Sequence, residues 1–276
     1  MQRRKILYIF SVGIFLLGLF NGIYISTAQE LPENFNSVKN DSLLRSYSIE
    51  ELLEYREYYK KQIDKIEQNK RRLREQGIQD AENYLKTNPD SKILDKIIMR
   101  LAELYYQAEN DNYIEAMQKY DLQLEELERQ NIDDPNLTEP QKNYEKPLKL
   151  YQKIIDDFSH SDLYDDAIYN KAFLLEELGQ IEQAVDVYQK LVNELQSGRY
   201  TPEALMRIAE YHFNPPVNNI EHAISYYKRI LEYRESPKYD EALYRLGWCY
   251  YRLNNYPEAV AYFTLLADDV HRAKTL

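Results

Sequence analysis

A seven-residue pattern recurs along this chain and restricts the fold more than any other feature of the sequence. Its clearest copy, at residues 245–251, reads Arg-Leu-Gly-Trp-Cys-Tyr-Tyr, and similar copies lie at residues 207–213, 170–176 and 100–106. After each of the copies at 170–176, 207–213 and 245–251, a small residue is followed four positions later by an aromatic residue, as in Ala184 with Tyr188. A period of about 36 to 39 residues is typical of stacked helical hairpins. The sequence therefore predicts one array of hairpins and not several globular domains.

Residues 240–267 show the pattern of a single hairpin. Two apolar stripes at helical spacing flank a turn at Asn254 and Asn255. The small residues Gly247 and Ala259 lie where the two helices must come close, and the large Phe263 fills the space beside them. We therefore expect two antiparallel helices with little room for a side chain at Gly247.

This hairpin resembles the tetratricopeptide repeat, whose pattern is matched at Leu246, Gly247, Tyr250, Tyr256, Ala259 and Phe263. The resemblance implies an all-α fold, a right-handed α-solenoid in which stacked repeats bury faces that one repeat alone leaves open. Segments 51–54, 100–106, 207–211 and 242–253 are together similar to a group of bacterial cell-envelope repeat proteins. That second resemblance spans about residues 48–270 and implies an exported protein, periplasmic or associated with the outer membrane.

The sequence predicts a signal peptide at residues 1–28, a flexible leader at 29–47 and the α-solenoid at 48–276. Repeats are expected at about 92–130, 165–195, 201–233 and 240–268, with partial units at 48–89 and 143–158. Near the start of the array, separate helices are predicted at 75–89, 92–108 and 111–129. A long helix is expected to begin at Ser48, because Ser48 and Glu51 form a capping box that satisfies free backbone N–H groups.

Residues 1–28 have the layout of an export signal. Arg3, Arg4 and Lys5 precede an apolar run at residues 6–20, and Ser26 with Ala28 suits a cleavage site after Ala28. The alternative is an uncleaved membrane anchor, since residues 6–25 nearly reach the roughly 20 residues that span a bilayer. Either way the protein is expected in the periplasm, with membrane association through this segment if it stays uncleaved.

Composition and motif spacing argue against several classes of function. A formal net charge of −11 makes nucleic acid a poor partner. The single Cys249 rules out an internal disulfide and is expected as a buried apolar residue. The sequence has no Gly-rich phosphate loop, no Gly-x-Ser-x-Gly elbow and no His-Glu-x-x-His spacing. We therefore predict no catalytic residue, no metal site and no cofactor, so that the protein is not an enzyme.

The candidate site is the concave groove, which the first helix of each pair lines in repeats of this type. Projecting the pattern onto those helices places aromatic and methionine side chains there, with carboxylates between them. The predicted members are Met99, Glu103, Tyr106, Tyr169, Phe173, Glu176, Met206, Glu210, Phe213, Tyr244, Trp248 and Tyr251. Such a strip suits an extended or helical peptide that carries Lys or Arg, with Trp248 as the main anchor. For each ring, packing against the neighbouring repeat is the alternative.

These sequence features favour two functions. The first is a protein–protein interaction scaffold in the bacterial cell envelope that binds another envelope protein in the groove. The alternative is a structural or assembly subunit that oligomerises through the long helix beginning at Ser48. In addition, the last repeat is apolar at residues 262–266 and only a short tail follows. Its outer face is therefore expected to self-associate or to receive further repeats.

Overall fold

The computed structural model describes residues 48–132, 136–196 and 198–273, with side chains to residue 268. This part of the chain is helical and contains no strand. Its nine helices are α1 (Ile49–Thr87), α2 (Leu94–Gln130), α3 (Glu145–Asp157), α4 (Tyr164–Glu177), α5 (Ile181–Glu194), α6 (Thr201–Phe213), α7 (Ile220–Ile230), α8 (Lys238–Arg252) and α9 (Tyr256–Ala273). The expected all-α fold is confirmed for the described residues.

The chain separates into two units, residues 1–61 and residues 62–276. In the first unit, the described residues form the beginning of α1. Ser48 Oγ accepts a hydrogen bond from the Glu51 backbone N–H at 3.2 Å, and the Glu51 carboxylate accepts one from the Ser48 N–H at 2.9 Å. This reciprocal pair is the predicted capping box. The predicted signal peptide and leader lie outside the described residues, and no described helix is long and apolar enough to cross a membrane.

The second unit begins with an antiparallel pair formed by α1 and α2. Arg74 in α1 reaches Asp111 in α2 at 2.6 Å, and Arg71 reaches Glu115 at 2.8 Å. A Cβ added to Gly77 would lie 3.3 Å from Leu104 Cδ1, so the Leu104 side chain packs closely against Gly77. Gly77 therefore makes room for the neighbouring helix from a position inside the continuous helix α1.

The sequence predicted shorter helices in this region, and that prediction is wrong. No separate helix forms at 75–89, because α1 runs unbroken to Thr87, and the predicted helices 92–108 and 111–129 are both part of α2. Residues 108–111 read Ala-Glu-Asn-Asp and contain neither Gly nor Pro, so nothing there forces a turn. The 3.6-residue periodicity identified helices but could not reveal where a helix continues.

From α2 onward, each helix packs against the next one in the chain, and α6 also contacts α8. Two antiparallel hairpins are closed by the same type of turn. At Gly179, and again at Asn254, the second residue after the helix adopts a left-handed conformation, with φ of 71° and 58°. In each case the next residue donates a backbone hydrogen bond five positions back, Gln180 to Leu175 and Asn255 to Tyr250. The predicted turn at Asn254–Asn255 is thus confirmed.

The core of the second unit follows the small–large pattern read from the sequence. Ala184, Ala223 and Ala259 are buried in α5, α7 and α9, where the preceding helix of each pair comes close. One helical turn later, Tyr188 and Tyr227 are fully buried and fill the space between hairpins. Cys249 is buried as expected, and burial raises the pKa of its thiol to about 12. The thiol therefore stays neutral and serves as a small apolar side chain.

Candidate functional site

The predicted groove residues lie on α2, α4, α6 and α8, but they do not form one open strip. Met99 and Met206 are buried in the core, so their prediction as surface residues is wrong. Met206 is covered because α8 packs on α6. Helical periodicity places a residue on a face, but it does not show whether the neighbouring repeat covers that face.

The exposed part of the predicted site is a group of three rings on α8, which we term the α8 aromatic cluster: Tyr244, Trp248 and Tyr251. Their exposed fractions are 45%, 40% and 52%. The rings meet edge to face, with centroids 6.1 Å apart for Tyr244–Trp248 and 5.6 Å for Trp248–Tyr251. Trp248 also contacts Phe263 of α9 at 5.9 Å. The contact with Phe263 supports the cluster on its inner side, while the outer edges of the three rings are exposed to solvent.

The other predicted aromatic residues are half-buried and pack against neighbouring repeats. Tyr169 stacks on Tyr200, with ring centroids 4.3 Å apart and planes within 9°. Phe213 lies under the guanidinium of Arg252 at 4.6 Å, and that guanidinium also donates to the Phe213 carbonyl. Structural packing between repeats, the alternative considered from the sequence, thus accounts for Tyr169 and Phe213.

Two of the three predicted carboxylates, Glu176 and Glu210, are engaged in ion pairs between repeats. Glu210 of α6 accepts from Arg245 of α8 at 2.7 Å. Glu176 of α4 pairs with Arg207 of α6 at 3.3 Å, and it accepts a hydrogen bond from Tyr188 at 3.1 Å. Burial raises the pKa of Glu210, and Arg245 and Arg207 only partly oppose this effect. These two acids connect adjacent hairpins, and their carboxylates are already paired with arginines of the following repeat.

Glu103 and Tyr106, both on α2, complete the predicted set. Glu103 pairs with Arg100 on its own helix at 3.0 Å, where both side chains are exposed. Tyr106 is half-buried against Tyr144, with ring centroids 5.4 Å apart. Neither residue is brought into contact with the α8 aromatic cluster by any described interaction. Phe173 of α4 likewise packs against the hydrophobic core.

A cavity of about 290 Å³ lies beside two of the predicted acids, Glu176 and Glu210. Its walls also include Glu182, Tyr188 and Arg207, together with residues 214–216 of the loop after α6. Arg207 was not among the predicted site residues. An arginine recurs at the first position of the pattern, at residues 100, 207 and 245. That recurrence could have revealed the pairing of Glu176 and Glu210 with the following repeat.

The described residues contain no group of three or more His, Cys, Asp or Glu side chains that could hold a metal ion. His212 and His222 form an edge-to-face ring pair, with ring centroids 5.2 Å apart. Burial, with a smaller contribution from His222, lowers the pKa of His212. This pair packs the turn between α6 and α7, and no third ligand joins it among the described residues.

Two family models agree with the hairpins seen in the structure. Both are described as tetratricopeptide repeats, and they match residues 166–194 and 217–270. These two segments are tetratricopeptide repeats. They contain α4 with α5, and α7 through most of α9. Proteins with such repeats generally act as scaffolds for protein interactions and are typically not catalytic.

Several solved structures are similar to this chain at low sequence identity. The crystal structure of MamA is 14% identical, with a TM-score of 0.47, and the match covers 72% of this chain and 90% of that one. A tetratricopeptide repeat protein from Parabacteroides merdae ATCC 43184 is 18% identical, with a TM-score of 0.45 and coverages of 79% and 67%. BtubC from P. vanneervenii is 16% identical, with a TM-score of 0.41 and coverages of 75% and 92%. No curated protein sequence matches the chain.

Proposed function

We propose that this protein is an interaction scaffold of the bacterial cell envelope that binds a peptide or helix of another envelope protein through the α8 aromatic cluster. The observation that carries the proposal is the exposure of Tyr244, Trp248 and Tyr251 side by side on one helix. Interface hot spots are enriched in tyrosine and tryptophan, which offer large contact areas at little cost in conformational entropy. Single exposed rings would need no explanation, but three in mutual contact do.

The acidity of the chain favours a partner with basic residues. The whole chain carries a formal charge of −11. Acidic surfaces attract and orient basic segments and repel nucleic acid. A segment that carries Lys or Arg beside its aromatic contact is therefore the expected partner.

The proposed function is tested by recovering partners from an envelope fraction with the full chain. Wild type and a variant that lacks two rings of the α8 aromatic cluster are compared side by side. Partners that both proteins retain equally cannot depend on this cluster. A specific partner lost with the variant supports the proposal, and its binding segment should contain basic residues.

The envelope setting rests on the sequence of residues 1–28, and it predicts a processed protein. Signal peptidase should remove this segment after Ala28, because Ser26 and Ala28 supply the small residues that the enzyme requires. N-terminal sequencing of the protein isolated from cells checks this expectation. A mature chain that begins at Gln29 supports export by cleavage. A chain that still begins at Met1 would make residues 6–25 a membrane anchor.

The alternative function, oligomerisation through α1, is favoured by a different observation. Ile63, Ile66 and Leu73 are all more than half exposed on this helix. They share an α-helix with many charged residues, a composition that suits a partner helix. Sedimentation of wild type and an Ile63→Glu/Ile66→Glu variant distinguishes the two functions. An oligomer that the variant disrupts supports the assembly subunit.

A further inference from the structure

The outer side of α9 is open at positions that are buried in α5 and α7. Val185 of α5, Ile224 of α7 and Val260 of α9 each follow directly after the small residue of their hairpin. The first two are 6% and 9% exposed, whereas Val260 is 63% exposed. The difference arises because α6 packs on α5 and α8 packs on α7, while no later helix lies over α9 in the described part of the chain. The position is apolar in all three helices and is covered in two of them.

A second position on the same side repeats this contrast. Ile220 at the start of α7 is 6% exposed, and Tyr256 at the start of α9 is 52% exposed. Ala267, two helical turns beyond Val260, is exposed too, whereas its counterpart Val192 in α5 is buried. We refer to Tyr256, Val260 and Ala267 as the outer side of α9. Its residues are mainly apolar, like those at the equivalent positions of α5 and α7, which the next helix covers.

The ion pairs between repeats identify the helix that would fit this face. Asp166 of α4 pairs with Arg199, just before α6, at 2.5 Å. The matching acid of α6, Glu203, pairs with Lys238 at the start of α8 at 2.9 Å. Each acid thus receives a basic residue from the beginning of the helix that covers the preceding hairpin.

The matching acid of α8 is Glu241, and it has no such incoming partner among the described residues. Its described ion pairs are to Lys238 and Arg245 of its own helix, at 3.1 and 4.0 Å. Glu203 forms the same kind of pair with Arg207 on its own helix while it also receives Lys238. Glu241 is therefore placed to accept a basic residue in the same way.

We propose that the outer side of α9, together with Glu241, docks an α-helix supplied by a different polypeptide. That helix has a Lys or Arg at its start and an Ala–Leu pair about one turn later. This pattern is the one that α6 and α8 show, with Arg199 before Ala204–Leu205 and Lys238 before Ala242–Leu243. In both cases the alanine and leucine are buried. The small residue permits the close approach, and the leucine fills the face beside it.

Charge argues against a second copy of this chain as the occupant. The first turn of α9 is acidic through Glu258, and α9 starts with Tyr256 and Pro257. In a dimer joined α9 to α9, the start of the incoming helix would offer Glu241 no Lys or Arg, and its first turn would carry Glu258 instead. Like charges in a partly desolvated interface are unfavourable. A helix with a basic start removes this conflict.

The test uses the purified full chain and a labelled peptide of residues 199–213, which contains the basic start and the Ala–Leu pair. Binding is followed by fluorescence anisotropy of the label. The peptide contains no tryptophan, so the emission of Trp248, the single tryptophan of the protein, gives an independent signal from the adjoining helix. Val260→Glu in the protein is compared with Leu122→Glu, whose parent residue on α2 is 68% exposed. A peptide with Leu205→Asp is the second control.

We expect saturable binding that V260E weakens by at least tenfold and that L122E leaves within twofold of wild type. E241Q should weaken binding severalfold and reduce its dependence on salt, since one ion pair is removed. The Leu205→Asp peptide should not bind. Absence of saturable binding, or equal binding to V260E and wild type, overturns the proposal. So does self-association of the wild type that V260E abolishes, because a second copy then occupies the face.

This inference goes beyond the proposed function and fails separately from it. Tyr251 contacts Tyr256 of the outer side of α9, with ring centroids 5.5 Å apart, whereas the described ring contacts of Trp248 do not include that side. Trp248→Ala alone therefore tests the first proposal. Val260→Glu tests the second. The far-UV circular dichroism of each variant is compared with that of wild type, so that loss of binding is not confused with loss of helix.

Discussion

Replacing Gly247 with leucine is expected to lower the free energy of unfolding by about 3 kcal/mol or more. A Cβ at this position would lie 2.5 Å from Cε1 and 2.6 Å from Cζ of Phe263. Real side chains do not approach that closely, so α8 and α9 must separate or the ring must leave its place. The ring is not free to move, because Tyr244 and Trp248 pack against it at 6.1 and 5.9 Å. Urea denaturation of the full chain measures the effect.

Two further variants show whether the clash with Phe263 is the cause. Ala261→Leu enlarges an exposed residue of α9 and should change the stability by only a few tenths of a kcal/mol. Gly247→Leu combined with Phe263→Ala should cost less than the sum of the two single changes, since the leucine fills space that the ring vacates. If Gly247→Leu unfolds at the same urea concentration as wild type, the contact between α8 and α9 is wrong.

Truncating the α8 aromatic cluster is expected to weaken partner binding by at least thirtyfold. Loss of one hot-spot ring typically costs about 2 kcal/mol, which is about a thirtyfold change in affinity. Trp248→Ala with Tyr251→Ala removes two such rings. The remaining ring, Tyr244, keeps its contact with Phe263, so the hairpin should stay folded. Titration of a recovered partner against wild type and the double variant provides the measurement.

Tyr59→Ala is the matched control for this experiment. Tyr59 is an exposed ring on α1 and has a neighbouring ring, Tyr58, at 5.4 Å. Its removal should leave the affinity unchanged if the α8 aromatic cluster is the binding surface. If Tyr59→Ala weakens binding and the double variant does not, the partner contacts α1, and the assembly function gains support.

The last hairpins could be predicted in detail because their signals are local. Gly247 and Ala259 marked the close approach, Phe263 marked the ring beside it, and the two asparagines marked the turn. Each of these residues acts through contacts within about 20 positions of sequence. The small–large pattern therefore contained most of the information about α8 and α9.

The long helices α1 and α2 could not be predicted in the same way. Residues 75–89 were interpreted as a separate repeat helix, but they continue α1, and Gly77 within them packs against the side chain of Leu104. The segment at 108–111 has ordinary helix-forming residues, and the expected turn rested on the repeat length alone. Periodicity predicts a face but contains no information on helix length unless Gly, Pro or a cap interrupts it.

The predicted site was partly wrong because the sequence pattern of one repeat does not show how the next repeat packs on it. Met206 and Tyr244 occupy equivalent positions, yet one is buried under α8 and the other is exposed. Glu210 appeared as a free acid until Arg245 of the next hairpin was placed beside it. Packing of one repeat on another is a long-range property. The one sequence signal that indicated this packing was the arginine that recurs at the first position of the pattern.

The central claim, that the α8 aromatic cluster binds a protein, is tested most directly by site-specific photo-crosslinking in intact cells. A photoreactive amino acid replaces Tyr251 in one strain and the exposed Leu122 of α2 in another. We predict a discrete crosslinked protein from position 251 that is absent from position 122. The peptide crosslinked at position 251 should contain basic residues. Crosslinks from position 122 alone, or the same products from both positions, would contradict the claim.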